Sequence, residues 1–255
     1  MKKEENLPSK EKLQESLRTL QNAYQTFYRS EDLIVGNKNL SFWFKGDFQN
    51  HFNSLVTNKQ EAGRIWRTHI YTWAFGNGLS IEGDLIECGV YKGFSSAVAC
   101  SFLNFKTSKK KLFLIDTFKG IPENQLDMTR KEIYNSGGLN ALDEYKKPEN
   151  YEICKDRFSK YKNVRIIKGA IPDVFSEYQF PDKISFLHLD MNSSISEISA
   201  LEFFYERLTK GAVCLLDDFG FLISKEQMLA ELEWLNSRGI NFCELPTGQA
   251  FFIKT

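Results

Sequence analysis

The chain has 255 residues, and 33 Lys and Arg balance 33 Asp and Glu, so its formal net charge at pH 7 is zero. This balance gives no electrostatic reason to expect a nucleic acid or an anionic membrane as the main partner, and favours a small ligand. Five cysteines without C-x-x-C spacing favour buried thiols over disulfides or zinc. No apolar stretch approaches the roughly 18 residues that span a bilayer, and no apolar signal-peptide region follows Met1 to Glu5. We therefore expect a cytoplasmic protein.

Residues 1–78 predict an N-terminal helical lid. A helix from Ser9 to about Arg29 carries one apolar face, which leaves open a homo-oligomer through the N-terminal helices. Residues 33–56 hold five aromatic side chains without periodicity, which indicates either a lid over a pocket or an irregular packed segment. A second helix is predicted from about Lys59 to Phe75, with Gly76-Asn77-Gly78 as its stop signal.

Residues 79–255 predict an α/β core, because short apolar runs alternate there with helical stretches. The last two runs are joined by four residues and predict an antiparallel hairpin. We expect a Rossmann-like fold with a mostly parallel seven-stranded sheet that ends in this hairpin. The long polar stretch 122–149, with Gly137-Gly138, is interpreted as a second lid component. The predicted strands are Asp84–Cys88, Lys111–Ile115, Val164–Lys168, Ile184–Leu189, Ala212–Leu216, Asn241–Leu245 and Ala250–Ile253.

The segment from Gly83 to Ser96 predicts a buried strand, a glycine turn and the start of a helix. Nucleotide-binding α/β sheets place their ligand at this end of the first strand, which indicates an adenosine-like ligand. The same pattern also occurs with no ligand. Because the segment contains neither G-x-G-x-x-G nor a P-loop, it favours a small cofactor without a pyrophosphate over NAD or ATP.

Two acidic residues are candidates for contacts to that ligand. Asp116 ends the second strand, 23 residues after Gly93, close to the spacing of about 20 at which an acidic side chain binds ribose hydroxyls. The alternative is a capping Asp before Thr117. Asp173 follows the third strand, where adenine would lie, and could meet its exocyclic amine or simply belong to a turn.

Three carboxylates follow the fourth and fifth strands, at Asp190, Asp217 and Asp218. Carboxylates at neighbouring strand ends repel one another unless a cation or protons intervene, and hard oxygen ligands suit Mg²⁺. A divalent metal site is therefore predicted, with the alternative that one or two of these residues cap helices. His188 shares a strand face with Asp190 and is expected to be a hydrogen-bonded core histidine.

Five motifs occur in order along the chain: Glu87 to Gly93, Ile115 to Pro122, Lys168 to Asp173, His188 to Asp190, and Leu216 to Gly220. Together they resemble the macrocin O-methyltransferase family, and the resemblance covers about Ile65 to the C terminus. Members of this family use S-adenosylmethionine to methylate sugar hydroxyls of antibiotics and, in related bacterial proteins, of surface glycans. The resemblance implies a class I methyltransferase fold and a Mg²⁺ held by Asp190, Asp217 and Asp218. It also implies cofactor contacts from Glu87, Gly89, Tyr91, Gly93, Ser95 and Asp116, to which we add Thr117 and Asp173.

One departure from the family concerns the mechanism. Its best-known members carry Asp-x-Asp followed by Leu-Tyr, with the second Asp proposed as the general base, whereas Asn192 stands at that position here. An amide cannot accept a proton, so the base is open, and the predicted catalytic residues are Asp190, Asn192 and Asp218. We expect an O-methyltransferase for a sugar hydroxyl of a bacterial glycan, nucleotide sugar or glycosylated natural product. A non-catalytic cofactor- or glycan-binding protein is the alternative, while the missing dinucleotide motif disfavours an NAD-dependent oxidoreductase.

Overall fold

The computed structural model describes residues 9–30, 33–135 and 141–255. Its strands are β1 Phe27–Ser30, β2 Leu33–Gly36, β3 Asp84–Cys88, β4 Leu112–Asp116, β5 Val164–Lys168, β6 Ile184–Leu189, β7 Leu208–Leu216, β8 Phe242–Glu244 and β9 Ala250–Ile253. Seven of them form one sheet in the order β5-β4-β3-β6-β7-β9-β8, and β1 pairs with β2 separately. Five strands of the large sheet are parallel, while β9 runs antiparallel to β7 and to β8. The predicted fold class is confirmed.

The helices cover both faces of this sheet. They are α1 Lys10–Ala23, α2 Ser41–Phe44, α3 Phe48–Leu55, α4 Lys59–Gly63, α5 Ile65–Leu79, α6 Phe94–Phe102, α7 Met128–Asn135, α8 Ala141–Tyr145, α9 Glu149–Phe158, α10 Val174–Glu177, α11 Ser194–Phe204 and α12 Lys225–Ser237. One apolar layer joins the sheet to α5, α6 and α9, and the other joins it to α11 and α12. Burial on both faces explains why the central parallel strands are continuous apolar runs. No helix among the described residues is long and apolar enough to cross a membrane.

Two predicted helix ends differ from the structure. Helix α1 stops at Ala23, and Phe27 and Tyr28 belong to β1, because their backbone pairs with β2. The second predicted helix is broken at Arg64 into α4 and α5, and α5 continues through Gly76 and Gly78 to Leu79. Gly78 serves close packing there, since a Cβ would come within 2.9 Å of the Phe186 Cβ on β6.

The aromatic residues of the N-terminal region mostly pack against the core. Phe48 and Phe52 of α3 are buried against Phe94 and Val98 of α6, with further aromatic side chains at the edge of this cluster. This favours the packed-segment interpretation for them. Helix α5, which the sequence assigned to the N-terminal region, lies directly on β6 and β7. No side chain of α1 is buried, and association through this helix stays a prediction.

Candidate active site

A cavity of about 270 Å³ lies where the carboxyl ends of β3, β4, β6 and β7 meet. Parallel strands place their carboxyl ends at one edge of the sheet, and this brings together residues that are far apart in sequence. The stretch 122–149 closes part of the cavity through Pro122, Gln125, Arg130 and Tyr145, as expected of a lid, while its Gly137-Gly138 lies outside the described residues. Seven predicted site residues line the cavity: Gly89, Tyr91, Asp116, Thr117, Asp190, Asn192 and Asp218.

Glycines allow the elements around the cavity to approach closely. Gly89 directly follows β3 and has a φ of +86°, a conformation that glycine adopts without strain. A Cβ at this position would overlap the backbone carbonyl of Asp190, because the ends of β3 and β6 lie side by side. The glycine turn predicted after the first strand therefore has a packing reason, while contact of Gly89 with a cofactor stays a prediction.

Asp116 connects the two loops that border the cavity. Its Oδ2 accepts hydrogen bonds from the backbone amides of Val90 at 2.7 Å and Tyr91 at 2.8 Å. Its Oδ1 accepts one from the amide of Phe118 at 2.6 Å. That last bond caps a turn, since the next helical residues begin at Glu123. The carboxylate thus fixes the loop after β3 against the loop after β4 and still lines the cavity, where its role toward a ribose stays a prediction.

Four predicted cofactor-binding residues do not line this cavity. Glu87 is buried and accepts hydrogen bonds from the hydroxyls of Tyr71, at 3.0 Å, and Ser96. Gly93 precedes α6, and Ser95 lines a neighbouring cavity of about 40 Å³. Asp173 is exposed in front of α10. The cofactor contacts of these four residues also stay predictions.

Asp190, Asp217 and Asp218, here called the carboxylate cluster, meet at the ends of β6 and β7. Oxygens of Asp190 and Asp217 and a ring nitrogen of His188 lie within 4.8 Å of one another. Asn192 donates a hydrogen bond of 3.3 Å from its Nδ2 to Oδ1 of Asp190. The structure therefore brings together the residues that the sequence singled out after strands four and five.

Two arginines contribute positive charge to the carboxylate cluster. The Nη2 of Arg67 donates to Asp217 Oδ2 and, at 3.0 Å, to Asp218 Oδ1. The Nη2 of Arg130 lies 3.6 Å from the other oxygen of Asp218. Asp217 also accepts a hydrogen bond of 2.6 Å from the side chain of Gln249. Two of the three carboxylates are thus paired with guanidinium groups of the protein.

These contacts give the acidic residues different protonation behaviour. Burial opposes ionisation of Asp217, but Arg67 and His188 outweigh it and hold the pKa of Asp217 below its ordinary value. Burial, together with the charges of Asp217 and Asp218, raises the pKa of Asp190 well above its ordinary value. Asp190 is therefore the member of the carboxylate cluster whose affinity for a proton is raised.

His188 is buried in the core beneath the carboxylate cluster, as expected, but its ring nitrogens meet carboxylates at ion-pair distance and form no well-aligned hydrogen bond with the described residues. Its Nδ1 is 3.3 Å from Glu87 and its Nε2 is 3.5 Å from Asp217. Burial alone would lower the pKa of His188, but the carboxylates of Asp217 and Glu87 outweigh burial and raise the pKa to about 10. A protonated His188 adds a third positive charge next to the carboxylate cluster.

Comparison with known proteins identifies the family. The model of the macrocin O-methyltransferase (TylF) family matches residues 77–242, which is more than half of the chain. The chain belongs to the macrocin O-methyltransferase family. A mycinamicin III 3''-O-methyltransferase from Micromonospora griseorubida is 24% identical over 148 residues, which cover 54% of this chain and 56% of that enzyme. The matched region thus spans little more than half the length of this relative.

Solved structures show the same fold. The O-methyltransferase NovP superposes with a TM-score of 0.64 at 16% identity, over 97% of this chain and 100% of that chain. The calicheamicin methyltransferase CalS11, also described as a TDP-rhamnose 3'-O-methyltransferase, superposes with a TM-score of 0.58 at 14% identity, over 97% and 93% of the two chains.

The Mg²⁺ that the family resemblance implies does not fit the carboxylate cluster as this chain builds it. The three aspartates supply suitable oxygen ligands. However, the guanidinium of Arg67 donates to oxygens of both Asp217 and Asp218, so those oxygens already face a cation. Mg²⁺ binds carboxylate oxygens at about 2.0 to 2.1 Å, a distance at which the guanidinium would have to leave.

Sequence analysis missed three residues of the site. Arg67 lies on the second predicted helix between the apolar residues Trp66 and Ile70, and this contrast between charged and apolar residues was the available signal. Arg130 and Tyr145 belong to the lid stretch, where the sequence has no periodic pattern. Burial, with the charges of Asp190 and Asp218, raises the pKa of Tyr145 to about 12, and its ring lies 5.3 Å from that of Tyr91.

Proposed function

We propose that the protein is an S-adenosylmethionine-dependent O-methyltransferase that methylates a sugar hydroxyl. The observation that carries this proposal is the placement of Asp190, which faces the same cavity as Gly89 and Asp116. A methyl donor in the loops after β3 and β4 would thus adjoin a carboxylate of raised pKa. Membership of the macrocin O-methyltransferase family supports the same reaction.

The loops after β3 and β4 are the part of the chain that would hold the cofactor. The backbone at Gly89 leaves room for a ligand because this residue carries no side chain. Asp116 and Thr117 line the cavity with a carboxylate and a hydroxyl, which are the groups that bind a ribose through hydrogen bonds. When bound, S-adenosylmethionine supplies an electrophilic methyl group on a sulfonium.

Asp190 is the residue proposed to accept the proton of the acceptor hydroxyl. During methyl transfer to the acceptor oxygen, an oxygen of Asp190 would accept this proton. Asn192 cannot replace Asp190 in this step, but its amide donates to Asp190 Oδ1 and orients the carboxylate. Asp218 would keep Arg67 and Arg130 in place rather than take the proton itself. Mg²⁺ takes no part in the proposed reaction, because Arg67 already donates hydrogen bonds to Asp217 and Asp218.

The acceptor would approach through a second depression of about 700 Å³ that shares Arg67, Phe221 and Ile223 with the cavity. Its walls include Tyr28 and Trp66, whose flat rings suit the apolar faces of a sugar. A glycan, a nucleotide sugar and a glycosylated natural product are all compatible with such a depression.

The proposal is tested by binding and by turnover. Calorimetric titration should show one S-adenosylhomocysteine site, and a labelled methyl donor offered with a panel of sugars should give a methylated product. Asp190→Asn should keep the binding and lower turnover by about 10²- to 10⁴-fold, as expected for loss of a general base. Asp182→Asn is the matched control, because this exposed residue lies before β6, at the end of the strand opposite the cavity, and does not line the cavity. No binding of S-adenosylhomocysteine would refute the proposal.

Asn192 favours a second candidate function, a protein that binds the cofactor or a glycan without turnover. Tight binding of S-adenosylhomocysteine with no product from any sugar would support it. Titration with NADH under the same conditions tests the disfavoured NAD-dependent oxidoreductase, which would have to bind this cofactor.

A further inference from the structure

The guanidinium of Arg67 is held on several sides within the site. It donates to side-chain oxygens of Asp217 and Asp218, and its Nη2 lies 3.4 Å from the backbone carbonyl of Asp217. The ring of Phe221 lies against the guanidinium, with its centroid 5.1 Å from the central carbon. The side chain is 9% exposed. A planar guanidinium with several donors suits two neighbouring carboxylates that it can bridge.

The balance of charge in the carboxylate cluster is consistent with a cation supplied by the protein. Asp190, Asp217 and Asp218 would carry three negative charges if all were ionised. Arg67 bridges two of them, and Arg130 lies 3.6 Å from Asp218. The nearby Asn192 is neutral and adds no further negative charge. Guanidinium groups of the protein therefore offset the negative charge of the carboxylate cluster.

We propose that Arg67 is the resident cation of the carboxylate cluster and takes the place that a divalent metal would need between Asp217 and Asp218. A metal ion and the guanidinium require the same carboxylate oxygens, so they exclude each other. Arg67 is then a positioning residue, which holds Asp217 and Asp218 in place and leaves Asp190 as the carboxylate open to the acceptor. This role of Arg67 concerns metal binding alone and does not depend on whether the protein transfers a methyl group.

Binding of Mn²⁺, followed by the loss of its free electron paramagnetic resonance signal, tests this directly on the full chain. The wild type should take up no Mn²⁺ at the cluster, and EDTA should not change its melting temperature. Arg67→Met should bind Mn²⁺ at least about tenfold more tightly, since it frees both carboxylates without adding a charge. Adding Asp217→Asn to Arg67→Met should abolish the new binding.

Arg157→Met is the matched control, because Arg157 also forms a buried ion pair, at 2.7 Å from Glu61, but outside the carboxylate cluster. It should leave Mn²⁺ binding at the level of the wild type. Arg67→Gln gives a second test should Arg67→Met fail to fold. S-adenosylhomocysteine titration of the same samples reports separately on the cofactor cavity.

Two results would overturn the inference. One is a wild type that binds one Mn²⁺ and loses it in Asp217→Asn. The other is a folded Arg67→Met or Arg67→Gln variant that binds no more Mn²⁺ than the wild type. Either result leaves the proposed methyl transfer standing if the protein binds S-adenosylhomocysteine and turns over.

Discussion

Replacing the buried Glu231 by Gln should stabilise the protein at neutral pH. Glu231 on α12 and Glu197 on α11 are both 0% exposed where these two helices pack together. One oxygen of Glu231 accepts a hydrogen bond of 3.1 Å from Gln227, and one of Glu197 accepts a bond of 2.7 Å from the amide of Met191. The second oxygen of each carboxyl has no hydrogen-bond partner among the described residues. Ionising either acid at this place is therefore unfavourable.

The size of the effect follows from the shift in proton affinity. Burial, partly offset by the hydrogen bond from Gln227, raises the pKa of Glu231 from 4.5 to about 8. The unfolded chain loses this proton above pH 4.5, while the folded chain keeps it up to about pH 8, so stability falls as the pH rises between these values. At about 1.4 kcal/mol per pH unit, this loss amounts to about 3 kcal/mol at pH 7. A glutamine has almost the same shape as a glutamate and carries no charge. The Glu231→Gln variant therefore does not undergo this loss of folding stability as the pH rises.

Urea unfolding followed by circular dichroism at several pH values measures this effect. Glu231→Gln and the wild type should differ by less than about 1 kcal/mol near pH 5, and by about 3 kcal/mol at pH 7. Glu233→Gln on the same helix is the control, because Glu233 is exposed and its replacement should give no difference that grows with pH. If the stabilities of the wild type and Glu231→Gln fall in parallel between pH 5 and 8, the reasoning is refuted.

Three further predictions concern the cavity. Asp116→Ala should weaken S-adenosylhomocysteine binding by about 1–3 kcal/mol in calorimetry, and an unchanged affinity would show that the carboxylate only ties the two loops together. Asn192→Asp should slow turnover at neutral pH by about tenfold, because a second carboxylate beside Asp190 keeps a proton on the pair, and a faster variant would mean that a base was missing. Gly89→Ala should lower the free energy of unfolding by about 2 kcal/mol or more, since its Cβ would overlap Asp190 and its φ is positive. A variant as stable as the wild type in urea would contradict the close approach of β3 and β6.

The parallel sheet was predictable because its strands are buried on both faces. The runs Asp84–Cys88 and Ile184–Leu189 are short, apolar and bounded by turn residues, and the structure has both with the predicted bounds. The start of β7 was missed, since Leu208 to Gly211 contains polar residues that a strand tolerates where it is less buried. The local sequence pattern therefore predicted the bounds of a strand where burial is uniform along it, and failed where burial changes along the strand.

The N-terminal region was less predictable because contacts distant in sequence decide it. Phe27 and Tyr28 continue the helical spacing of α1, yet their pairing with β2 turns them into a strand. The residues of the candidate site were found where they follow strands, as with Asp190. Arg67 was not assigned to the site, because it meets Asp217 across 150 positions of sequence.

Helix α5 couples the position of Arg67 to contacts away from the cavity, toward the other end of the strands. Near one end, Gly78 touches Phe186, and Asn77 donates a hydrogen bond of 3.1 Å to the carbonyl of Gly211. Near the other end, about 16 Å away along the axis, the same rigid rod carries the guanidinium. A larger side chain at Gly78 would tilt helix α5. The tilt would move the guanidinium of Arg67 relative to Asp217 and Asp218. Substitutions at Gly78, remote from the cavity, would therefore change the distances between the Arg67 guanidinium and the carboxylates. Such positions are useful targets when the charge distribution of the cavity is to be altered without replacing a residue that lines it.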